Sequence, residues 1–332
     1  MKQAEHNCLQ NFIDNRLNAL RLLVIGDVML DKYYFGEVKR ISPEAPVPIT
    51  RVLKQKDTLG GAANVAHNLA LLGCKTFLAG VTGDDYHRHD LVEKLAERNI
   101  DHQCLICTPG PTTTKLRVIG GHQQMIRLDF EETAPVIGEE YSALCKSIST
   151  CIDGGVDGVI ISDYAKGVCT PELCQFVIDK CQTAGIPIVI DPKGNDWQKY
   201  SGADYITPNL KELNEVSSAS VANDDEAVKK AAQLIKRRYK IKNMVVTRSE
   251  QGMSLVSTGK TVHIPTLAQE VFDVSGAGDT VIAVFCAALA AKVEPALAAY
   301  LANVAASVVV AKLGTYAVSK TELTQALLNN EL

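Results

Sequence analysis

The segment Asp273-Val-Ser-Gly-Ala-Gly-Asp-Thr280 joins a glycine-rich turn to a carboxylate, and an apolar run over 281–291 follows it. The first N–H groups of a helix lack partners within the helix and carry the positive end of its dipole, so they bind anions. Gly276 and Gly278 permit a tight turn and the close approach of a ligand. Asp279 would stand beside that anion, where it could take the proton of a hydroxyl that attacks a phosphoryl group. The alternative is a helix start that Asp279 only caps.

A second segment, Gly60-Gly-Ala-Ala-Asn64, begins a predicted helix with small residues that let a ligand approach the backbone. The amide of Asn64 offers a donor and an acceptor, which is the pairing that sugar hydroxyls need. Asp27 and Asp31 follow a predicted strand, at the end of the sheet where open α/β folds bind ligands. These residues indicate a sugar site, with helix packing and loop capping as the alternatives.

Asn209 and Glu212 form a third candidate, at a predicted junction between a strand and a helix. Residues of these types at this spacing resemble a capping box. The same side chains could organise a magnesium ion and its waters beside nucleotide phosphates. Both interpretations stay open from the sequence.

The elements that must position these residues alternate between strands and helices, which predicts an α/β fold with a parallel sheet covered by helices on both faces. Two regions, 33–52 and 112–130, alternate apolar and polar residues instead and predict a small sheet that forms a lid over the site. The candidate lid strands in the second region are Thr114–Ile119 and Gln123–Phe130. The candidate main-sheet strands are Arg21–Val28, Lys75–Val81, Gly158–Ser162, Ile186–Ile190, Asp204–Thr207 and Asn243–Thr247. The candidate helices are Ala62–Leu72, His89–Arg98, Glu139–Ile152, Pro171–Ala184 and Asp225–Tyr239.

Composition and charge narrow the classes of partner. The 332 residues include 34 Lys and Arg and 38 Asp and Glu, so the net charge is 34 − 38 = −4, which argues against nucleic acid as a partner. No uncharged apolar stretch reaches the roughly 18 residues needed to span a bilayer, and Glu5 and Asp14 argue against a signal peptide. Most of the 10 cysteines lie in apolar runs, as buried thiols do. We therefore expect a cytoplasmic protein that acts on small molecules, with neither nucleic acid nor membrane as a partner.

Three motifs occur together: Gly60/Gly61/Asn64, Asn209/Glu212 and Gly276–Asp279. Their order and spacing resemble those of the ribokinase-like (PfkB) carbohydrate kinases, and the resemblance runs from about Leu20 to Ser319. It implies a three-layer α/β/α fold with a mostly parallel sheet and a small β lid. It also implies a kinase that uses ATP and Mg²⁺, and it leaves a requirement for a monovalent cation open.

The resemblance also implies roles for single residues. Asp279 would remove the proton of the anomeric hydroxyl, and the N–H groups of Gly276, Ala277 and Gly278 would stabilise charge on the γ-phosphoryl group. Glu212 would hold magnesium through water. The full expected contacts of ATP and magnesium are Asn209, Leu210, Lys211, Glu212 and Thr247, and those of the sugar are Asp31, Gly60, Gly61 and Asn64.

Further segments, such as Ser162–Gly167 and Asp191–Gly194, are most similar to the heptose 7-phosphate kinases within this family. A substrate that carries its own phosphate needs cations, and arginine offers a bidentate fork to phosphate. Salt bridges within the lid and dimer contacts are the alternative roles for such cations. The candidates are Lys115, Arg117 and Arg127, then Arg40 less securely, with Asp163, Lys166 and Lys193 as support at the strand ends.

For the organisation of the chain, we expect an N-terminal extension over 1–19 and one kinase domain over 20–330 that pairs with a second copy through the lid. Heptose kinases often continue into a nucleotidyltransferase domain, but the sequence has no His-x-Gly-His, so we expect the kinase alone. A kinase for another sugar phosphate, such as a ketohexose phosphate, and a catalytically silent sugar-binding regulator remain alternatives. A dinucleotide-dependent oxidoreductase is disfavoured because the segment that begins at Gly276 lacks a third glycine.

Overall fold

The central strands of the main sheet are nearly continuous apolar runs, because a strand covered on both faces buries nearly every side chain. The computed structural model describes residues 3–268 and 270–330. In chain order the strands are β1 (Arg21–Gly26), β2 (Val28–Ile41), β3 (Pro48–Gly61), β4 (Lys75–Thr82), β5 (Asp101–Cys107), β6 (Thr114–Gly120), β7 (Gln123–Phe130), β8 (Gly158–Ser162), β9 (Ile188–Asp191), β10 (Tyr205–Ile206), β11 (Asn243–Thr247), β12 (Met253–Val256) and β13 (Thr261–Ile264).

Nine of these strands form the main sheet, in the order β13-β12-β11-β10-β9-β8-β1-β4-β5. All neighbours are parallel except β12, which is antiparallel to β11 and to β13. The predicted strands Gly158–Ser162 and Asn243–Thr247 have the predicted bounds. The predicted strand Arg21–Val28 is too long, because the main-sheet strand ends at Gly26 and Val28 already belongs to β2. The prediction missed β5, where Asp101, His102 and Gln103 interrupt the apolar pattern of an edge strand.

The helices cover both faces of this sheet, which confirms the predicted three-layer fold. Alternate residues of β1 enter different cores: Leu22 and Val24 pack on one face, Leu23 and Ile25 on the other. Helices α1, α2, α3, α8, α9 and α10 contribute to the first core, and α4 to α7 to the second. Their bounds are α1 (Gln3–Asn11), α2 (Ala62–Leu71), α3 (Tyr86–Glu97), α4 (Gly138–Asp153), α5 (Pro171–Ala184), α6 (Leu210–Val216), α7 (Asp225–Tyr239), α8 (Ala277–Ala290), α9 (Pro295–Val310) and α10 (Lys320–Asn329).

Helix ends follow their capping residues. Helix α5 has the predicted bounds, because the Thr170 side chain accepts a hydrogen bond from the N–H of Leu173 and Gly185 adopts the left-handed conformation at the other end. Helix α3 begins at Tyr86, three residues before the predicted His89, because Asp85 caps it. No helix in the ranges 3–268 and 270–330 is both long enough and apolar enough to cross a bilayer.

Residues 3–19 pack onto the main domain. Leu9, Phe12, Ile13 and Leu17 are buried in the same core as α2, α8 and α9. Lys320 on α10 donates to the carbonyl of Asp14 at 3.0 Å. The predicted extension is therefore part of the first core.

The remaining four strands form a second sheet, the lid sheet, in the order β3-β2-β6-β7. Strands β2 and β3 form a long antiparallel hairpin, β6 is parallel to β2, and β7 is antiparallel to β6. The hairpin spans Val28 to Gly61, whereas the prediction gave only 33–52. The difference lies at the base of the hairpin, where residues 28–32 and 59–61 are buried and resemble main-sheet strands in the sequence.

Lys32 joins the base of the lid sheet to α3. Its ammonium group donates to Asp90 on α3 at 2.6 Å and lies 3.5 Å from Asp57 on β3. The Lys32 side chain is only 5% exposed, so these carboxylates rather than water balance its charge. The pKa of Lys32 is raised by the two carboxylates, although burial acts in the opposite direction.

We predict that Lys32→Met lowers the free energy of unfolding by about 3 kcal/mol, because it leaves two poorly solvated carboxylates without their cation. Chemical denaturation of both proteins measures the difference. Lys56→Met is the matched control: this lysine lies on the same hairpin but is exposed, and its loss should change the stability by less than about 0.5 kcal/mol. Equal effects of the two substitutions would contradict this role for Lys32.

Candidate active site

The cleft lies at the carboxyl ends of the parallel strands, where this class of sheet binds ligands. It has a volume of about 250 Å³. Six residues that the sequence predicted meet there, from three segments of the chain, together with five that were given no role or only a supporting one. The predicted six are Asn209, Glu212, Thr247, Gly276, Gly278 and Asp279; the others are Asp163, Tyr164, Asp191, Lys193 and Thr207.

The N-terminus of α8 forms one wall of the cleft. Gly276 is the capping residue, with φ of 81°, and no side chain caps the helix. The N–H of Ala277 donates to the carbonyl of Val274 at 3.2 Å, so that predicted anion donor already has a partner. Gly278 lies in the first helical turn, where N–H groups have no partner within the helix. The wall therefore offers a backbone N–H group and open space to a ligand, which is the geometry that an anion needs.

Asp279 follows these glycines and is buried in the cleft. Its Oδ2 accepts a hydrogen bond of 2.6 Å from the amide of Asn64, and its Oδ1 accepts one of 2.7 Å from the hydroxyl of Tyr164. Burial raises the pKa of Asp279 to about 6, and the two hydrogen bonds oppose that rise. A carboxylate with a pKa near neutrality is suited to act as a general base.

Helix α2 holds Asp279 through paired polar contacts. Asn68, one turn after Asn64, accepts a hydrogen bond of 2.8 Å from the hydroxyl of Thr280, and its own amide donates to the carbonyl of Asn64. These groups are buried, so leaving any of them unpaired would be costly. The predicted sugar ligand Asn64 and the predicted base Asp279 are thus fixed relative to each other.

Asn209 and Glu212 form a complete capping box at the start of α6. Glu212 also accepts a hydrogen bond of 3.0 Å from Lys193, while both side chains still line the cleft. The pKa of Asp191 is raised far above its usual value by burial and by the charges of Glu212 and Asp279. This crowding of carboxylates suits a divalent cation, because Mg²⁺ prefers oxygen ligands.

Asp31 and the two glycines of β3 lie at the base of the lid sheet. A Cβ atom at Gly60 would lie 2.5 Å from the Asp31 carboxylate, and one at Gly61, where φ is 54°, would lie 2.5 Å from the Asp27 carbonyl oxygen. The glycines therefore have a packing reason to be present, independent of any ligand. The carboxylate of Asp27 accepts three backbone N–H groups of the loop over 163–168, which agrees with the alternative role of loop capping.

Strand register places the predicted lid cations on one face. Asp31 pairs with Lys115, and the next row on the same face holds Tyr33, Arg117 and Arg127. Lys56, which pairs with Tyr33, completes that row and was not predicted. Asp31 on this face is close enough to Asp279 for its negative charge to raise the pKa of Asp279, so the face borders the cleft. Arg40 pairs with Ile49 near the far end of the hairpin, away from this row.

The two arginines of this row already have carboxylate partners. Arg117 donates to Asp31 at 2.5 Å, and Arg127 makes two hydrogen bonds of 2.9 Å to Asp129. Among the described residues, Lys115 has no hydrogen bond or ion pair. Three residues that were expected to support phosphates at the strand ends also have protein partners: Lys166 donates to Glu131, Lys193 to Glu212, and Asp163 accepts from Lys199 and Tyr200.

Comparison with known proteins agrees with the fold. The family described as "pfkB family carbohydrate kinase" matches this chain over residues 19–322. The bifunctional proteins HldE of Methylobacillus flagellatus and Pectobacterium atrosepticum are 45% and 46% identical, each over 92% of this chain and 63% of their own length. The chain thus spans somewhat less than two thirds of these relatives.

Solved structures share the fold at low sequence identity. Ribokinase of Arabidopsis thaliana, complexed with ribose and ATP, has a TM-score of 0.73 and 20% identity over 93% of this chain and 98% of its own. Phosphofructokinase-2 of Escherichia coli, in complex with substrates and products, has a TM-score of 0.76 and 21% identity over 93% and 99%. The fold and the family match define a sugar kinase. The chain belongs to the pfkB family of carbohydrate kinases.

We predict that Gly278→Ala weakens ATP binding about tenfold, or about 1.4 kcal/mol, while the protein keeps its stability. A methyl group at this position meets no protein atom within 4 Å and enters the cleft, so only a ligand at the α8 N-terminus would encounter it. Calorimetric titration with ATP measures the affinity. Gly276→Ala is the contrast, since its positive φ and its contacts with Thr315 and Asn64 should lower stability as well. Unchanged affinity in Gly278→Ala would mean that the phosphates of ATP do not bind at the N-terminus of α8.

Proposed function

We propose that the protein transfers the γ-phosphoryl group of ATP to the C1 hydroxyl of D-glycero-β-D-manno-heptose 7-phosphate, giving the 1,7-bisphosphate and ADP. The observation that carries the proposal is the position of Asp279, a buried carboxylate that lies between the anion-binding start of α8 and the cationic face of the lid sheet. The similarity to the HldE proteins supports the choice of a heptose. The product would serve ADP-heptose and lipopolysaccharide-core synthesis in the cytoplasm.

In the proposed reaction, the sugar lies between Asn64 and Asp31 with its anomeric hydroxyl against Asp279. Asp279 takes the hydroxyl proton as the sugar oxygen forms a bond to the γ-phosphorus and the bond to the bridging oxygen of ADP breaks. The N–H groups of Gly276 and Gly278 stabilise the charge on the transferred group. Glu212 would hold magnesium through water, and the ion would supply positive charge that offsets the charge of the phosphates. Asn209 and Thr247, which line the cleft, would contact the nucleotide.

The row that contains Arg117 and Arg127 would receive the 7-phosphate. The guanidinium groups of Arg117 and Arg127 lie directly opposite each other on neighbouring strands and repel each other. Their carboxylate partners offset this repulsion. An incoming phosphate could take the place of one carboxylate, and Lys115 and Lys56 would add charge from the same face. A phosphorylated sugar therefore suits this lid better than a neutral one does.

We also propose that two copies pair through the lid sheet. Exposed apolar side chains on this sheet include Val38, Ile41, Leu53, Ile126 and Leu128, and pairing of two lid sheets would cover apolar surface that is otherwise in contact with water. Pairing would place the outer strands against a second lid. Sedimentation of the purified protein reports the number of copies.

We predict that the purified protein, with ATP and Mg²⁺, releases ADP with D-glycero-β-D-manno-heptose 7-phosphate and far less with the unphosphorylated heptose, fructose 6-phosphate or ribose. Asp279→Asn should lower turnover by about 10²–10⁴-fold, because general-base catalysis is lost, while binding of the sugar phosphate persists. A coupled ADP assay and calorimetry provide the two measurements.

The outcomes separate the alternatives. Faster turnover of fructose 6-phosphate would keep the kinase and replace the heptose with a ketohexose phosphate. Absence of turnover with every sugar, together with retained binding, would favour a silent sugar-binding regulator. Near-normal turnover in Asp279→Asn would remove Asp279 from the mechanism.

We predict that Lys115→Ala raises the KM for the heptose 7-phosphate about tenfold and leaves the residual turnover of unphosphorylated heptose unchanged, because only the phosphate needs this charge. Steady-state kinetics with the two sugars measure both values. Lys39→Ala is the matched control, since Lys39 is an exposed lid lysine near the far end of the hairpin and pairs with Glu37. If the KM values for both sugars rise together, Lys115 does not bind the 7-phosphate.

A further inference from the structure

Tyr164 was assigned no role from the sequence, yet its hydroxyl donates to Asp279 at 2.7 Å. The residue lies in the loop over 163–168, which follows β8 at the carboxyl end of the sheet. Burial and the nearby carboxylates of Asp279 and Asp191 raise the pKa of Tyr164 well above its usual value. The phenol is therefore protonated and remains a hydrogen-bond donor throughout the pH range of activity.

Two buried carboxylates fix the backbone of this loop. Asp27 accepts hydrogen bonds from the N–H groups of Tyr164, Lys166 and Val168, at 2.7, 3.0 and 3.1 Å. Asp163 accepts one from the N–H of Ala165 at 2.7 Å. Ala165 adopts φ of 56° and Gly167 φ of 97°, so the loop is held in a conformation that the chain rarely adopts unaided.

This loop directs the phenol at one carboxylate oxygen while Asn64 from α2 occupies the other. Each carboxylate oxygen has two acceptor positions, so a substrate hydroxyl can still bind. A carboxylate held by two donors cannot rotate freely, and donors to the charged form favour that form. Both effects serve a base that must be ionised and aimed before the substrate arrives.

From this geometry we infer that Tyr164 is a positioning residue that orients Asp279 and keeps it ionised for proton abstraction. The inference rests on the proposed role of Asp279 as the base. Tyr164 contacts Asp279 and would affect the reaction only through that carboxylate.

Other charged groups face Asp279 from the surrounding elements. Asp31 on β2 raises its pKa, and Asp191 at the end of β9 is also close enough to interact. Lys193 and Glu212 line the same cleft and neutralise each other. Because Tyr164→Phe changes none of these charges, a shift in the pKa of Asp279 would report the loss of the hydroxyl.

We predict that Tyr164→Phe raises the pKa of Asp279 by about one pH unit, since a hydrogen bond to a charged group is lost. In the parent, kcat/KM should fall below about pH 6 as Asp279 becomes protonated; in the variant, this acidic limb should begin about one pH unit higher. The KM for the sugar should stay near the parent value. Asn64→Ala should shift the limb and also raise the KM, because Asn64 is proposed to hold the sugar.

The pKa of Asp279 is also measured without substrate, by ¹³C NMR titration of aspartate-labelled protein, with Asp279→Asn to assign the signal. Tyr205→Phe is the matched control, since Tyr205 is a half-buried tyrosine that packs on Phe285 away from the cleft. If Tyr164→Phe does not fold, difluorotyrosine at position 164 provides the second variant. Its more acidic phenol is a stronger donor and should lower the pKa of Asp279.

An unchanged NMR pKa in Tyr164→Phe, or in the difluorotyrosine protein, would overturn the inference whatever the activity. A raised pKa with no turnover of any sugar would leave the hydrogen bond established and refute the proposed reaction instead. A raised pKa together with a shifted acidic limb is the result that we expect.

Discussion

The carboxylate of Asp27 is the constraint on which the cleft depends. Its side chain accepts three N–H groups from the loop over 163–168, its carbonyl accepts the N–H of Ala62 at the start of α2, and its own N–H donates to the carbonyl of Ser162 on β8. Burial and the charge of Asp163 raise the pKa of Asp27, and the three N–H groups oppose this rise. One residue thus joins β1, β8 and α2, and both side chains that hold Asp279 come from segments that Asp27 anchors.

The electrostatics of the cleft follow from this arrangement. Asp279, Asp191 and Glu212 meet at the same cleft, and burial together with the charges of Glu212 and Asp279 raises the pKa of Asp191 far above its usual value. Phosphates are also negative, and the cleft tolerates them only if cations enter with them or are already present. The N-terminus of α8 supplies partial positive charge, and Lys193 a full one. The acids that line the site therefore favour the divalent cation that the proposed reaction includes.

Much of this could be predicted from local sequence. Helix α5 follows from Thr170, Pro171 and Gly185, because capping depends on adjacent residues. The capping box of Asn209 and Glu212 was identified for the same reason, and the structure shows that a capping residue can also line a cleft. The lid face was predictable in part, since Lys115 and Arg117 alternate along one strand. Such signals are local, and they carried the family assignment as well.

Contacts between distant segments were not accessible in this way. Tyr164 meets Asp279 across 115 positions, and Lys56 joins the row of Arg117 only through a register set by the hairpin.

The same limit explains why Asp27 was interpreted as a possible sugar ligand. A carboxylate after a strand has the same local sequence whether it binds hydroxyls or backbone N–H groups, and here the loop that supplies those N–H groups lies about 140 residues away. Asp31, four residues later, differs because the chain has entered β2 and turned its side chain to the cleft face, where Arg117 is its partner. The different contacts of these two aspartates therefore arise after Gly26, where the chain leaves the main sheet and begins the lid sheet.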